Sequence, residues 1–374
     1  DKNIPLAREA FSGIGTVTSL PDGEISRECL ADIDVLLVRS VTRVDRDLLA
    51  GSDVKFVGTA TIGTDHVDIP YLEDSRIGFA SAPGSNANSV AEYVMSALLL
   101  HAEKHAVDLS TRTLGIVGAG NVGRRVARKA AAAGITVIQN DPPLKDRTGS
   151  REYRPLREIF EADFVTLHVP LNREGPYPTY HLAADDFFSR LKPGAFFINS
   201  SRGAVVETRA LKRALSQSDL TACLDVWENE PDIDRALVDL VEFATPHIAG
   251  YSYDGKVCGT AMLYRAVRSF FSMEPDPAGD PLALLPDPDP REIVIKVGDR
   301  PLQEVLLEAV VRAYDIREDD RNLRKIPSDR GDSFKKLRAE YRVRREMYRY
   351  SYTLPQAAAE VVASLDRLIE PLPV

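Results

Sequence analysis

The sequence predicts an α/β chain built on parallel sheets, and three observations carry that prediction. Short apolar runs alternate with helical patterns from Ile33 to Gly250, the pattern of β-α-β units whose strands end on one side. The glycine-rich stretch Thr113 to Arg125 lies between one such strand and a helix. The chain has 374 residues, 44% hydrophobic and 28% charged. That is a folded globular composition, in a chain long enough for about two or three domains.

The elements follow in order. The chain starts at Asp1 and reads as though it begins just past a strand. Ile33–Val38 is an apolar run that ends in Arg39, Ser40, Val41, Thr42 and Arg43. Lys55–Gly58 opens into a loop holding Thr61, and Ile77–Ala80 ends at Pro83-Gly84-Ser85-Asn86. Parallel sheets bind ligands at the carboxyl ends of their strands, so Arg39, Ser40, Arg43 and Thr61 are placed to meet a small anion. Asn88–Lys104 forms a long helix with a broad apolar face that includes Tyr93, Val94, Ala97 and Leu98. His101 and His105 lie four apart on it, but Ala102 stands where the zinc-protease pattern requires Glu. No metal is expected there; a helix surface or a subunit contact is.

Gly118, Gly120 and Gly123 then follow a strand in G-x-G-x-x-G spacing, with Val122, Val126 and Ala127 at helical intervals. Gly118 permits the tight turn, Gly120 lets a pyrophosphate approach bare backbone, and Gly123 lets the helix close on the strand. The helix start offers unpaired N–H groups to phosphate. The strand Ile135–Gln139 ends at Asp141, placed to hold the adenosine ribose. These features predict a Rossmann-type domain and NAD as cofactor, because the Asp141 carboxylate repels a 2′-phosphate; Arg147 nearby weighs the other way.

Further units follow: helix Pro155–Glu161, strand Phe164–His168, helix Ala184–Leu191, strand Ala195–Asn199, helix Glu207–Leu215 and strand Ala222–Asp225. A helix over Val257–Phe271 returns the chain to the first region, making that domain discontinuous and flavodoxin-like, with two hinges beside one cleft. The Pro- and Asp-rich segment Glu274–Pro290 reads as a linker. Beyond it lies a small α+β unit: strand Glu292–Val297, helices Leu302–Tyr314 and Ser333–Tyr341, strand Arg345–Tyr352 and helix Pro355–Leu368. The expected domains are 1–88 with 251–280, 89–250, and 281–374. Lys335, Lys336, Arg338, Arg342, Arg344 and Arg345 make the middle of the last one basic, read as a contact between subunits.

The formal net charge is −9, which argues against general nucleic-acid binding. Three well-separated cysteines, Cys29, Cys223 and Cys258, suit a reducing compartment. No apolar run reaches membrane-spanning length and no basic-then-apolar leader opens the sequence, so a cytoplasmic protein is expected.

Three strand-end residues carry the candidate chemistry: Arg202 in Ser201-Arg202-Gly203, Glu230 before Pro231, and His247 in Thr245-Pro246-His247. Oxidising an alcohol requires a base for the hydroxyl proton, and imidazole suits that. A carboxylate bonded to the imidazole fixes its tautomer, and an arginine holds a substrate carboxylate with two parallel bonds.

Gly118–Gly123, Ser201-Arg202-Gly203-Ala204-Val205-Val206, Leu224-Asp225-Val226-Trp227-Glu228 and Thr245-Pro246-His247-Ile248-Ala249-Gly250 together resemble the D-isomer-specific 2-hydroxyacid dehydrogenases. Val38–Thr42, Phe56–His66, Asp141-Pro142-Pro143, Ala249–Ser252 and a C-terminal unit with Tyr314–Arg317 and Arg344–Glu346 resemble one branch of that family more closely. The resemblance implies Arg202 and Glu230 as active-site residues and His247 as acid/base. It implies Asn121 and Val122 at the pyrophosphate, Asp141 at the ribose, and Ser200, Ser201, Asp225 and Gly250 around the rest of the cofactor. Ser40, Thr61 and Tyr251 would contact substrate; by charge placement rather than resemblance, Arg39 and Arg43, or a basic side chain of the C-terminal unit, are the candidates to hold a phosphate. It further implies a small phosphorylated hydroxy acid as substrate, and a homodimer formed through the C-terminal domain. Val169 departs from a threonine, Asn229 from a glycine and Ser85 from a cysteine. The alternatives are a related dehydrogenase of 3-phosphoglycerate or glycerate, and a non-catalytic NADH-sensing corepressor of the same fold.

Overall fold

In the computed structural model, which describes residues 1–326 and 331–372, contacts divide the chain into two units. One comprises Asp1–Asn86 with Ser252–Asp287, the other Ala87–Tyr251 with Pro288–Pro373.

The first unit is built on three short parallel strands, β1 (Val35–Val38), β2 (Phe56–Thr59) and β3 (Gly78–Ala80), in that spatial order. Val38 lies level with Thr59, and Phe56 with Gly78. Alternate side chains go to opposite faces, as the strand period requires. Leu36, Val38 and Val57 pack with Leu49 and Leu72 on one face. On the other, Phe56 packs with Leu263, Tyr264 and Val267 of the helix Tyr253–Phe270. That helix begins earlier than its apolar pattern suggests, because the Ser252 hydroxyl accepts the Gly255 N–H at 2.8 Å and caps it.

The second unit holds a six-stranded parallel sheet: β4 (Thr113–Val117), β5 (Thr136–Asn140), β6 (Phe164–Leu167), β7 (Phe196–Asn199), β8 (Thr221–Leu224) and β9 (Phe243–Ala244). The spatial order is β5-β4-β6-β7-β8-β9, so the winding reverses beside β4, where such sheets open a crevice for a ligand. Phe196 and Ile198 join one core and Phe197 the other, which puts apolar layers on both faces.

The C-terminal region does not stand apart from this sheet. β10 (Glu292–Val294) pairs in parallel with β11 (Ser351–Thr353), and Ile293, Ile295, Val305, Leu306 and Leu365 share one core with the helix Ala87–Lys104. Every residue from Ala87 to Ala102 is therefore buried. The sequence suggests only one apolar face, since Asn88, Ser89, Glu92 and His101 read as polar.

Three expectations for this region are corrected. The strand over Arg345–Tyr352 shortens to Ser351–Thr353, because Glu346 turns inward to accept bonds from Asn88 (2.8 Å) and Ser89 (2.5 Å). A helix over Ile316–Lys325 was not expected, since in ten residues only Ile316 and Leu323 are apolar and buried. The basic middle is divided between interior and surface. The Arg344 guanidinium lies 3.5 Å from the centre of the Tyr314 ring, donates to Ala249 O and Ser89 O, and is 0% exposed. Arg345 is buried too. Lys335 and Lys336 stay on the surface.

Candidate active site

The cofactor loop follows β4. Gly118 has φ +92°, and a Cβ there would lie 2.4 Å from His168 O; one on Gly123 would lie 2.0 Å from Gly118 O. Gly118 thus needs the left-handed region open to glycine, and Gly123 lets the helix Asn121–Ala132 start against the loop. Gly120 has open space on its Cβ side and no side chain caps the helix. The first N–H groups of Asn121, Val122 and Gly123 are left for an anion.

Asp141 ends β5. Its two oxygens accept the Ala119 N–H (2.8 Å) and the Leu144 N–H (2.9 Å), so it ties the glycine loop to the next helix, Pro142–Thr148. Lone pairs remain on both oxygens for a ribose. After β7, Ser201 donates its N–H and hydroxyl to Asn199 Oδ1, while the buried Ser200 Oγ has no hydrogen-bond partner. An unpartnered hydroxyl at a strand end of the sheet that carries the glycine loop is local chemistry that a dinucleotide fits.

The candidate residues for the reacting end follow β7, β8 and β9. Arg202 makes one side-chain hydrogen bond, to Ser201 O at 2.8 Å, and no ion pair among the described residues. Its guanidinium is left to meet an anion. Gly203 admits the Trp227 backbone, whose carbonyl oxygen would lie 1.8 Å from a Cβ, so the Arg202 loop and the β8 loop close on each other.

His247 Nδ1 lies 2.6 Å from Glu230 Oε2, and Glu230 Oε1 accepts the Trp227 N–H at 2.8 Å. His247 is a non-glycine residue at φ +58°, a conformation that the surroundings must hold. Asp225 holds it. Its backbone O accepts the His247 N–H at 2.7 Å, and its carboxylate accepts from Ile248 N, Ala249 N and Thr245 Oγ1 at 2.7–2.9 Å. Burial pushes the Asp225 carboxyl above its ordinary value, against the pull of the His247 charge and these bonds. Asp225 is 1% exposed, so it positions the His247–Gly250 turn besides any contact with the cofactor. With Nδ1–H donated to Glu230, Nε2 carries the lone pair and can accept a proton.

Tyr251 follows Gly250. Its hydroxyl accepts from Arg338 at 3.0 Å, and its ring meets Tyr341 edge-on.

In the first unit, Arg39, Ser40 and Arg43 follow β1 and Thr61 follows β2. Arg43 pairs with Asp45 at 2.7 Å, which makes it the weaker anion candidate. The Thr61 hydroxyl donates to Gly63 O and bonds Thr59 Oγ1, which also bonds His66. A cavity of about 550 Å³ in this unit is lined by Phe11, Val17, Leu20, Leu37 and Phe271 and holds none of the expected site residues.

Sequence reasoning missed Lys256 in the first unit, on the first turn of the helix Tyr253–Phe270. Burial pulls its amine down to about 8, and the Arg39 charge adds to that; two neighbouring cations favour an anion. It also missed Tyr93, whose hydroxyl bonds Thr245 at 2.8 Å beneath Asp225, and a second pair, His181–Glu228. A lysine inside a helical pattern gives no signal, and Tyr93 reads as core.

A family model described as "D-isomer specific 2-hydroxyacid dehydrogenase, NAD binding domain" matches residues 86–249, and a domain of unknown function (DUF3410) matches 284–368. The erythronate-4-phosphate dehydrogenase of Escherichia coli is 47% identical over 349 residues, covering 92% of this chain and 91% of that one. That of Shigella boydii is 46% identical over the same length and shares. Among solved structures, D-lactate dehydrogenase from Aquifex aeolicus, complexed with NAD and lactic acid, superposes with a TM-score of 0.56 at 25% identity, covering 73% of this chain and 93% of that one. NAD+-bound 3-phosphoglycerate dehydrogenase from Entamoeba histolytica gives 0.59 at 25%, covering 71% and 89%. The chain belongs to the D-isomer-specific 2-hydroxyacid dehydrogenases, NAD-dependent oxidoreductases that act on CH–OH groups.

Proposed function

We propose that the protein oxidises 4-phospho-D-erythronate to 2-oxo-3-hydroxy-4-phosphobutanoate, a step in de novo pyridoxal 5′-phosphate synthesis. The observation that carries the chemistry is the 2.6 Å His247–Glu230 bond, with Arg202 left without an acidic partner. The substrate follows from relatives of that name over 92% of the chain.

The chemistry that NAD would supply at this site is that of a hydride acceptor for the substrate C2. His247 Nε2 takes the C2 hydroxyl proton, and Glu230 holds Nδ1–H and stabilises the imidazolium that results. Arg202 binds the C1 carboxylate and polarises the C2 oxygen. Asn121, Val122 and Gly123 face the pyrophosphate, with Gly118 and Gly120 giving it room. Asp141 takes the ribose; Ser200, Ser201, Asp225 and Gly250 flank the remainder. Ser40, Thr61 and Tyr251 bind substrate, and Arg39 with Lys256 binds its phosphate. The proposed domains are the substrate domain (1–88 with 251–280), the NAD domain (89–250) and a dimerisation domain (281–374). Exposed Val294, Val343 and Val362 on the last support a homodimer. A cytoplasmic site of action suits the free cysteines, and no helix among the described residues is long and apolar enough to cross a membrane.

The test is NADH formation with 4-phosphoerythronate beside 3-phosphoglycerate and glycerate. Preference for the first supports the reading. Preference for another substrate, or NAD binding without turnover on any, rejects it.

A further inference from the structure

The amino edge of the six-stranded sheet, opposite the strand ends that carry His247, holds a second cluster of ligating side chains. His101 lies on the last turn of the helix Ala87–Lys104, His105 stands just past its end, and Glu242 immediately precedes β9. His101 Nδ1 lies 3.1 Å and His105 Nε2 2.9 Å from the same oxygen, Glu242 Oε2. The ligand atoms of all three lie within 4.8 Å of one another. We propose that His101, His105 and Glu242 form a binding site for a divalent transition metal, with zinc the best fit.

Four features support it. Two imidazoles and a carboxylate are a borderline-soft donor set that suits zinc rather than calcium or magnesium. Two donors each about 2.1 Å from one ion are about 3.0–3.5 Å apart, and the two nitrogen–oxygen separations are near the short end of that range. Glu242 Oε1 is buried and has no hydrogen-bond partner, although the side chain is only 3% exposed. A buried acceptor left unmatched is costly, and an ion held by both Glu242 oxygens, Oε2 toward the histidines and Oε1 beside it, would satisfy it. Lastly, the cluster is both held and reachable. The His101 ring stacks on Phe196 at 4.0 Å and 5° and meets Phe164 edge-on, while His105 is 38% exposed and leaves a place for water as a fourth ligand.

The opposing feature is Lys104, whose ammonium lies 3.7 Å from Oε1. It is 58% exposed and can turn into solvent when a cation arrives. The third ligand comes from 242, far along the chain from His101 and His105. That is why a motif search confined to one helix gives no metal.

Zinc here would fasten the end of one helix to the start of β9 without touching the reacting edge. The test uses the full, tag-free chain after chelation, titrated with zinc sulfate by calorimetry and with cobalt chloride by visible absorption. We expect one ion per chain, a thermal transition that rises with zinc concentration, and unchanged NADH formation. His105→Asn at the exposed ligand and Glu242→Gln should each weaken binding at least tenfold and remove the thermal shift. No stoichiometric binding, or binding kept in either variant, overturns the proposal. So does a loss of activity on chelation that both variants also show, since the ion would then lie elsewhere.

Discussion

The second unit contains two His–Glu pairs of nearly the same form. His247–Glu230 and His181–Glu228 both close at 2.6 Å, with the histidines 33% and 27% exposed and both carboxylates 19% exposed. In each, the second carboxylate oxygen accepts a backbone N–H. What differs is the element that each carboxylate serves. Glu228 accepts the Thr208 N–H and so stabilises the start of the helix Thr208–Gln217. Glu230 accepts from Trp227 within its own loop, while Asp225 fixes the His247 turn from behind. A short His–Glu bond alone therefore does not mark a catalytic pair. What favours His247–Glu230 in the proposed function is its place past the strand ends, where Arg202 also lies without an ion pair among the described residues.

Substitutions can break or sharpen that contrast. The largest effect belongs to His247→Asn, which should lower kcat for NADH formation by about 10²–10⁴, the usual contribution of a positioned base. A near-normal rate would move the proton to another group and dissolve the distinction between the pairs. Glu230→Gln keeps the shape but loses the charge that stabilises the imidazolium, and should lower kcat by about 10–10³ with KM little changed.

Lys256→Met separates binding from chemistry. We expect KM for the phosphorylated substrate to rise about tenfold or more, the worth of a charge-assisted bond, with kcat nearly kept. In the unsubstituted protein, Lys256 loses its charge as pH climbs through about 8. KM should therefore rise on that side, and a Lys256→Arg variant should delay the rise. An equal rise in Lys256→Met would assign the pH effect to another group.

The smallest effect is that of Glu228→Gln, about 1 kcal/mol of stability from the weakened helix start, with turnover unchanged. Burial pushes the Glu228 carboxyl up, but the Thr208 and His181 bonds bring it below its ordinary value. A carboxylate with a depressed folded value stabilises above its unfolded value and loses that stabilisation as pH falls. Thermal melts of the two proteins should thus converge below about pH 4. If Glu228→Gln instead impaired turnover, the two pairs would share one role.

Much of the reacting edge was legible because parallel sheets put ligand-binding residues at strand ends. Arg202 and Glu230 could be placed past apolar runs, and His247 through the Thr245–Gly250 motif that carries the family resemblance. The glycine loop was legible because each glycine answers a steric demand of the backbone. Lys256 and Tyr93 were not, since their importance depends on which residue lies beside them in space. The helix Ile316–Lys325 was hidden for the same reason: its few buried positions acquire meaning only against β9 and the Val238–Glu242 segment, where Arg324 bonds the Val238 and Val241 carbonyls at 2.7 and 3.0 Å.

The helix Ala87–Lys104 has a consequence for how the chain is made. Its sixteen buried residues are covered partly by segments such as Ile293–Val310 and Leu365–Leu368, which leave the ribosome much later. At about 5–20 residues per second, the roughly 190 residues in between take about 10–40 s to synthesise. Throughout that interval an apolar rod waits half covered. A nascent chain that stalls before Val310 is expected to be sticky, and to need a chaperone's shelter more than its finished stability would suggest.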